Sequence, residues 1–223
     1  MWKREVSKDV AVADLQKAVT LDIDWMNFEL GSPEPVNDDK AARMKVRTII
    51  GGSTWAEFSV DLVGADLRMT GQPDEVPPLA QGVMPDVGQR GYRVYPLVDH
   101  VADKVAATFE LYGPSRRPST RYRDLIDLVA ISMGATIDAA EQLAALRSEF
   151  ERRGLAWPGR FIVPDEPTWQ SGYEEEARRS LLTTAVTLNK ALAVVCPFID
   201  PLLDKSASGQ WRDGVWRTNA LRD

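Results

Sequence analysis

Only one cysteine, Cys196, and one histidine, His100, occur in the 223 residues. A lone cysteine excludes an internal disulfide and a cysteine-based zinc cluster, and a lone histidine excludes a multi-histidine metal site. Cys196 sits in the apolar run AVVCPF, the setting of a buried thiol rather than of a nucleophile. No apolar run is long enough to span a bilayer. The opening MWKREVSKDV has no apolar core behind its charges and does not read as a signal peptide. The expected location is therefore cytoplasmic, with no membrane partner. Positive charge is in deficit too: the net charge is −6 and the pI about 5.0. That argues against binding nucleic acid through a broad basic surface and leaves room only for a local basic patch. Glycine is missing from one region in particular, since none precedes Gly31.

What is present is ordinary for a globular chain, with 44% hydrophobic and 27% charged residues, enough for one large domain or two small ones. After an N-terminal segment with a short helix expected over residues 10–15, TLDIDWMNFEL (residues 20–30) alternates. Leu21, Ile23 and Trp25 fall on one side of a strand, and Asp22 and Asp24 on the other. Two carboxylates on one strand face repel unless a cation offsets them, which is why an Asp-x-Asp strand points to a divalent metal. Magnesium suits such a site, because it takes few carboxylates and completes its shell with water and phosphate oxygens. The plainer reading is an exposed edge strand with solvated acids. AARMKVRTII (residues 41–50) reads as a short helix running into a strand. Gly51-Gly52 makes a hairpin turn, and TWAEFSVDLV (residues 54–63) is a second strand. On that hairpin Asp61 is expected to meet Asp22 and Asp24 across neighbouring strands.

The glycine- and proline-rich stretch 64–92 is a long connection, with a domain boundary expected near Gly91. YRVYPL leads into a helix in which Val101, Ala102, Val105, Ala106 and Phe109 make one apolar face with Lys104 at its border. His100, one turn earlier, reads as a partly exposed surface residue. A basic turn follows with Arg116, Arg117, Arg121 and Arg123, and Ser119 or Thr120 is placed to cap the next helix. There Asp124 and Asp127, three apart, share one face, while Leu125, Leu128 and Val129 point into a core. Further helices are expected over residues 138–154, stopped by Gly154, and over 173–195. The second carries an apolar stripe of Ala177, Leu181, Ala185, Leu188, Leu192 and Val195 and is stopped by Pro197. The Arg152-Arg153 and Arg178-Arg179 pairs read as salt-bridged surface. The tail is irregular, with Trp211 and Trp216 packed back on the helices.

The lysine helix followed by Arg123-Asp124-x-x-Asp127-Leu128 resembles the nucleotidyltransferase AbiEii/AbiGii toxin family. The likeness extends to TLDIDW and FSVDLV upstream and, more weakly, through the C-terminal helices. It implies an α/β (α+β) fold: a small mixed sheet at the N-terminus carrying the acidic triad (residues 1–91), then a helical domain carrying the Lys and RDxxDL elements (residues 92–223). It also implies an enzyme, a toxin of a toxin–antitoxin pair, that transfers a nucleoside monophosphate from an NTP to RNA, including the tRNA 3′ end. By that resemblance Asp22 and Asp24 hold Mg2+, Asp61 completes the metal site, Lys104 reaches the triphosphate, and Asp124 orients Lys104 or the nucleotide. Asp127 supports its helix, and an antitoxin protein is the partner. The family's Gly-Gly or Gly-Ser turn before the Asp-x-Asp has no counterpart here. The alternative is therefore a catalytically impaired fold acting as an RNA- or protein-binding module.

Overall fold

The computed structural model describes residues 7–20, 26–36, 41–63, 69–78 and 91–218. It is a mixed α/β chain in which N-terminal strands precede helices, and it forms two compact units, Met1–Arg68 and Met69–Asp223. Where the sequence puts the division near Gly91, the contacts divide the chain after Arg68. The backbone amides of Thr70 and Gly71 donate to the buried Asp99 carboxylate at 2.9 Å, which ties this segment to the helices that follow.

The first unit opens with helix α1 (Lys8–Ala18), capped by the Ser7 hydroxyl, which accepts from Val10 N–H. Strands β1 (Met26–Leu30), β2 (Glu34–Val36), β3 (Ala41–Ile50) and β4 (Ser53–Val63) form one antiparallel sheet. Residues 41–50 are strand throughout rather than helix then strand. Ala42, Met44, Val46 and Thr48 are buried while Arg43, Lys45 and Arg47 are exposed, and that period of two decides the matter over the helix propensity of Ala, Arg, Met and Lys. β3 is the centre. β4 pairs along its whole length through the Gly51-Gly52 turn, so β1 and β2 must share its other edge, one at each end. Phe58, Val60 and Leu62 of β4 stand opposite Val46, Met44 and Ala42, the apolar face.

The second unit holds the main core. A two-strand ladder, β5 (Asp74–Val76) with β6 (Tyr92–Val94), leads into α2 (Leu97–Phe109). Then come α3 (Tyr122–Gly134), β7 (Ile137–Asp138), α4 (Ala139–Arg153), α5 (Glu166–Arg179), α6 (Leu188–Leu203), β8 (Gln210–Arg212) and β9 (Val215–Arg217). α2 is buried nearly all round, packed on α3 and α4, and Val101, Val105, Leu125, Leu128, Leu146, Trp169, Val195 and Phe198 meet in one continuous cluster. Each such side chain contributes about 1.5–3 kcal/mol on burial. α4 is capped at both ends: Asp138 accepts from Ala140 and Glu141 N–H, and Gly154 closes it, as expected, at φ 63°. Gly172, inside α5, lies against the Tyr122 ring, where an added Cβ would come within 2.3 Å. A helix-interior glycine costs about 1 kcal/mol relative to alanine, and the close approach is what requires it.

Three expectations are corrected here. The helix expected over 173–195 is two helices. α5 ends at Ser180, whose hydroxyl donates to the Ala177 carbonyl and accepts from Leu182 N–H. Leu181 is fully exposed instead of lying on a stripe, and Ala185 turns at φ 53° with its carbonyl bound to the Tyr173 hydroxyl. Pro197 does not stop a helix, for α6 runs through both Pro197 and Pro201. Each proline removes one helical donor at a cost of about 3 kcal/mol, offset by burial of Val195, Phe198, Ile199, Leu202 and Leu203. The tail is an ordered hairpin, β8–β9, extended by β7. Trp211 and Trp216 do pack on Phe198, and their indole N–H groups donate to the Ser132 and Phe198 carbonyls. The Asp213-Gly214 turn that closes it, with both φ positive, was the available signal.

Candidate functional site

The apolar spacing of α2 carries Lys104 into the helical unit, where its side chain is only 9% exposed. α3 follows the basic turn and presents its first two turns to that side chain. The Lys104 ammonium donates to Asp124 Oδ1 at 2.9 Å and to Asp127 Oδ2 at 2.6 Å. Burial alone would lower the lysine pKa, but the bonds to Asp127 and Asp124 outweigh it and hold the group above its ordinary value, charged at neutral pH. Asp127 therefore does more than support its helix: it is the second partner of the ammonium.

Arg121 reaches the other Asp124 oxygen at 3.4 Å and lies over the Tyr112 ring, 5.7 Å from its centroid. Neither Ser119 nor Thr120 caps α3 at its first residues. Arg121 occupies the cap position without a side-chain bond, and the Ser119 hydroxyl accepts only a long bond from Arg121 N–H while its carbonyl is taken by Trp169. A cleft of about 300 Å³ lies beside the site, lined by Thr120, Arg121, Tyr122, Arg123, Asp124 and Glu176. His100 is exposed at the surface one turn before Lys104. Loss of water around its ring, then the Lys104 charge, hold its pKa below 6.5, so it is neutral at pH 7.

The arginines of the expected basic cluster separate. Arg123 lines the cleft but pairs with Glu176 at 2.9 Å, Arg117 donates to Ser115, and of the four Arg121 is the one that meets the Asp124 carboxylate. Arg116 is exposed at the tip of the turn bridged by Tyr112 and Arg117, in a left-handed conformation at φ 47°. Of the Arg152-Arg153 pair, Arg152 is exposed and paired with Glu149, as expected of salt-bridged surface, but Arg153 is not surface decoration. Arg153 binds Glu149, Asp103 and Glu110 together, tying α4 to α2. Sequence reasoning missed it, and the clue was two arginines immediately before a helix-stopping glycine, a position that favours charge but says nothing of depth. Cys196 is half-buried with its thiol pushed up to about 11 by burial, no nucleophile at neutral pH.

Asp22 and Asp24 lie outside the described residues. Asp61 is described, and it does not face β1 across a neighbouring strand, because β3 lies between them. Met26 stands opposite Ile50 and Asp61 opposite Arg43, seven positions along β3, roughly 23 Å at the usual strand rise. Arg43 grips Asp61 by both carboxylate oxygens at 2.6 and 2.8 Å, which lowers its pKa. Among the described residues, no group of three or more His, Cys, Asp and Glu side chains is arranged to hold a metal. Among the same residues, no helix is long and apolar enough to cross a membrane.

A family model described as nucleotidyl transferase AbiEii toxin, type IV toxin–antitoxin system, matches residues 14–213. The chain belongs to the AbiEii family. No curated protein matches it. The matched span contains both the Lys104–Asp124–Asp127 cluster and the sheet, and the description gives the AbiEii chain its general character, a nucleotidyl transferase toxin. Membership in a toxin–antitoxin family also implies a cognate antitoxin.

Proposed function

We propose that this AbiEii protein transfers a nucleoside monophosphate from an NTP to an RNA acceptor, the tRNA 3′ end being one candidate. The observation that carries the reading is the desolvated Lys104 ammonium, held between two carboxylates on a rigid pair of helices. A buried cation so fixed is a strong electrostatic partner for phosphate oxygens, because it needs no reorganisation as negative charge develops on the departing pyrophosphate. Asp124, bonded on one oxygen to Lys104 and approached on the other by Arg121, fixes where that charge sits. Arg121 adds a second cation beside the cleft, and Arg116, exposed at the turn tip with no ion pair among the described residues, suits an RNA backbone.

Magnesium, which would neutralise phosphate charge, is assigned to Asp22 and Asp24. Asp61, neutralised by Arg43, is assigned to the sheet. One observation favours a second reading, an RNA- or protein-binding module: the carboxylate expected to complete the metal site is already occupied by an arginine.

Incorporation of radiolabelled NTPs into total RNA, with Asp24→Ala and Lys104→Ala variants beside the parent, separates the two readings. Label that disappears in both variants is the expected result. RNA retained by the parent without label for any NTP would favour the binding module.

A further inference from the structure

The two carboxylates on Lys104 differ in surroundings. Asp124 has a side chain 12% exposed and a second cation, Arg121, on its free oxygen. Asp127 has a side chain 52% exposed, and among the described residues Lys104 is its one ion-pair partner. Two cations, Lys104 and Arg121, therefore face two anions, Asp124 and Asp127, and the cluster sums to zero. A polyanion approaching a neutral cluster gains little from it by charge alone. Lys104 has three N–H donors, of which two are engaged. For it to give its charge to a phosphate, one carboxylate must yield. Asp124 cannot leave without stranding a buried charge, whereas the half-exposed Asp127 carboxylate can rotate into water and be hydrated there.

We propose that Asp127 is a displaceable counter-charge. It keeps the Lys104 ammonium satisfied in the empty protein and is exchanged for a phosphate oxygen of an incoming triphosphate, while Asp124 stays bonded throughout. Asp127 is thus a positioning residue that competes with the ligand, and Asp124 is one that assists it. The inference rests on the reading of Lys104 as the triphosphate-binding group.

The two carboxylates then give opposite signs. Titration of the full chain with inorganic tripolyphosphate, and separately with each of the four NTPs in magnesium, measures them. Asp127→Asn removes the charge and keeps the shape, at a half-exposed position that leaves the core intact. It is expected to bind about three- to tenfold more tightly than the parent, the range of one competing charge at a partly screened site. Asp124→Asn is expected to bind more weakly, and Lys104→Met not to bind. Asp127→Ser, which empties the position, should match Asp127→Asn; a role in merely supporting α3 would leave affinity unchanged in both. Unchanged or weaker binding by Asp127→Asn, with a parent that binds and a Lys104→Met that does not, overturns the inference and leaves the site reading intact. A parent that does not bind triphosphate, or a folded Lys104→Met that binds equally well, overturns the site reading and the inference with it.

Discussion

The two units of this AbiEii chain use the same charged residues in opposite environments. In the sheet, Arg43 meets Asp61, and Arg47 bridges Glu29 and Glu57, all with side chains about half exposed. In the helical unit, Lys104 and Arg153 are about 10% exposed and each gathers two or more carboxylates. Coulomb attraction at a given separation is several times larger where water is excluded, and so is the cost of stranding a charge. The sheet pairs therefore decorate a face, while the helical pairs decide whether α2, α3 and α4 stay in place. The difference also says where chemistry can be built, since a fixed, desolvated cation exists only in the second unit among the described residues.

The strongest way to break this comparison is to remove Arg153. Burial would lower the arginine pKa, but Glu149, Asp103 and Glu110 raise it further, so it is charged throughout the working range. Arg153→Ala leaves a buried carboxylate on α4 with only Arg152 to answer it and unties α4 from α2. The expected loss is about 3–5 kcal/mol, read as a shift in the denaturant midpoint with little change in slope. A loss under about 1 kcal/mol would mean that the network is no more than surface pairing.

A smaller, sharper effect comes from acid. Burial alone would raise the Glu149 pKa, but its bonds to Arg152 and Arg153 more than offset that, and the group sits below its ordinary 4.5. A carboxylate with a depressed folded pKa contributes stability that is fully present above its unfolded value and is lost as pH falls through the folded one. Glu149→Gln should thus be less stable than the parent at pH 7, by about 2 kcal/mol for charge-assisted bonds, and the two should converge as the pH falls below 4.5. Thermal melts from pH 7 to pH 3 test this. A gap that stays constant across that range would show that packing, not charge, made the difference.

How much of this could be read beforehand depended on whether the deciding force was local. α2 and α3 were legible because their apolar residues recur at helical spacing, and Lys104 with Asp124 was legible because a lysine on one such helix and an Arg-Asp-x-x-Asp on the next leave few other places to go. Asp127 was undervalued because helical spacing puts it on one face with Asp124 without showing that the Lys104 ammonium reaches both carboxylates. Pro197 misled because helix-breaking is a local rule, and the burial that overrides it belongs to the packed core. Residues 41–50 misled for a related reason: Ala, Arg, Met and Lys favour helix singly, but their alternation only matters once β4 is beside them. The place of Asp61 needed a register and a sheet order, which spacing does not carry.

The gentlest test completes the comparison from the sheet side. Arg43→Ala frees Asp61, a carboxylate half in water whose side chain, among the described residues, is tied to this arginine alone. In that environment the released charge is simply hydrated, so stability is expected to change little, and less still at 1 M salt where the screening length falls to about 3 Å. Denaturant unfolding of Arg43→Ala at low and high salt measures both. The same variant bears on function. It returns Asp61 to the state in which a divalent ion could use it. If RNA labelling by Arg43→Ala rose above that of the parent, the arginine would be a brake on a competent carboxylate. Unchanged labelling, which the register along β3 favours, would leave Asp61 as part of the sheet's charged face and place the chemistry with Lys104 and its two carboxylates.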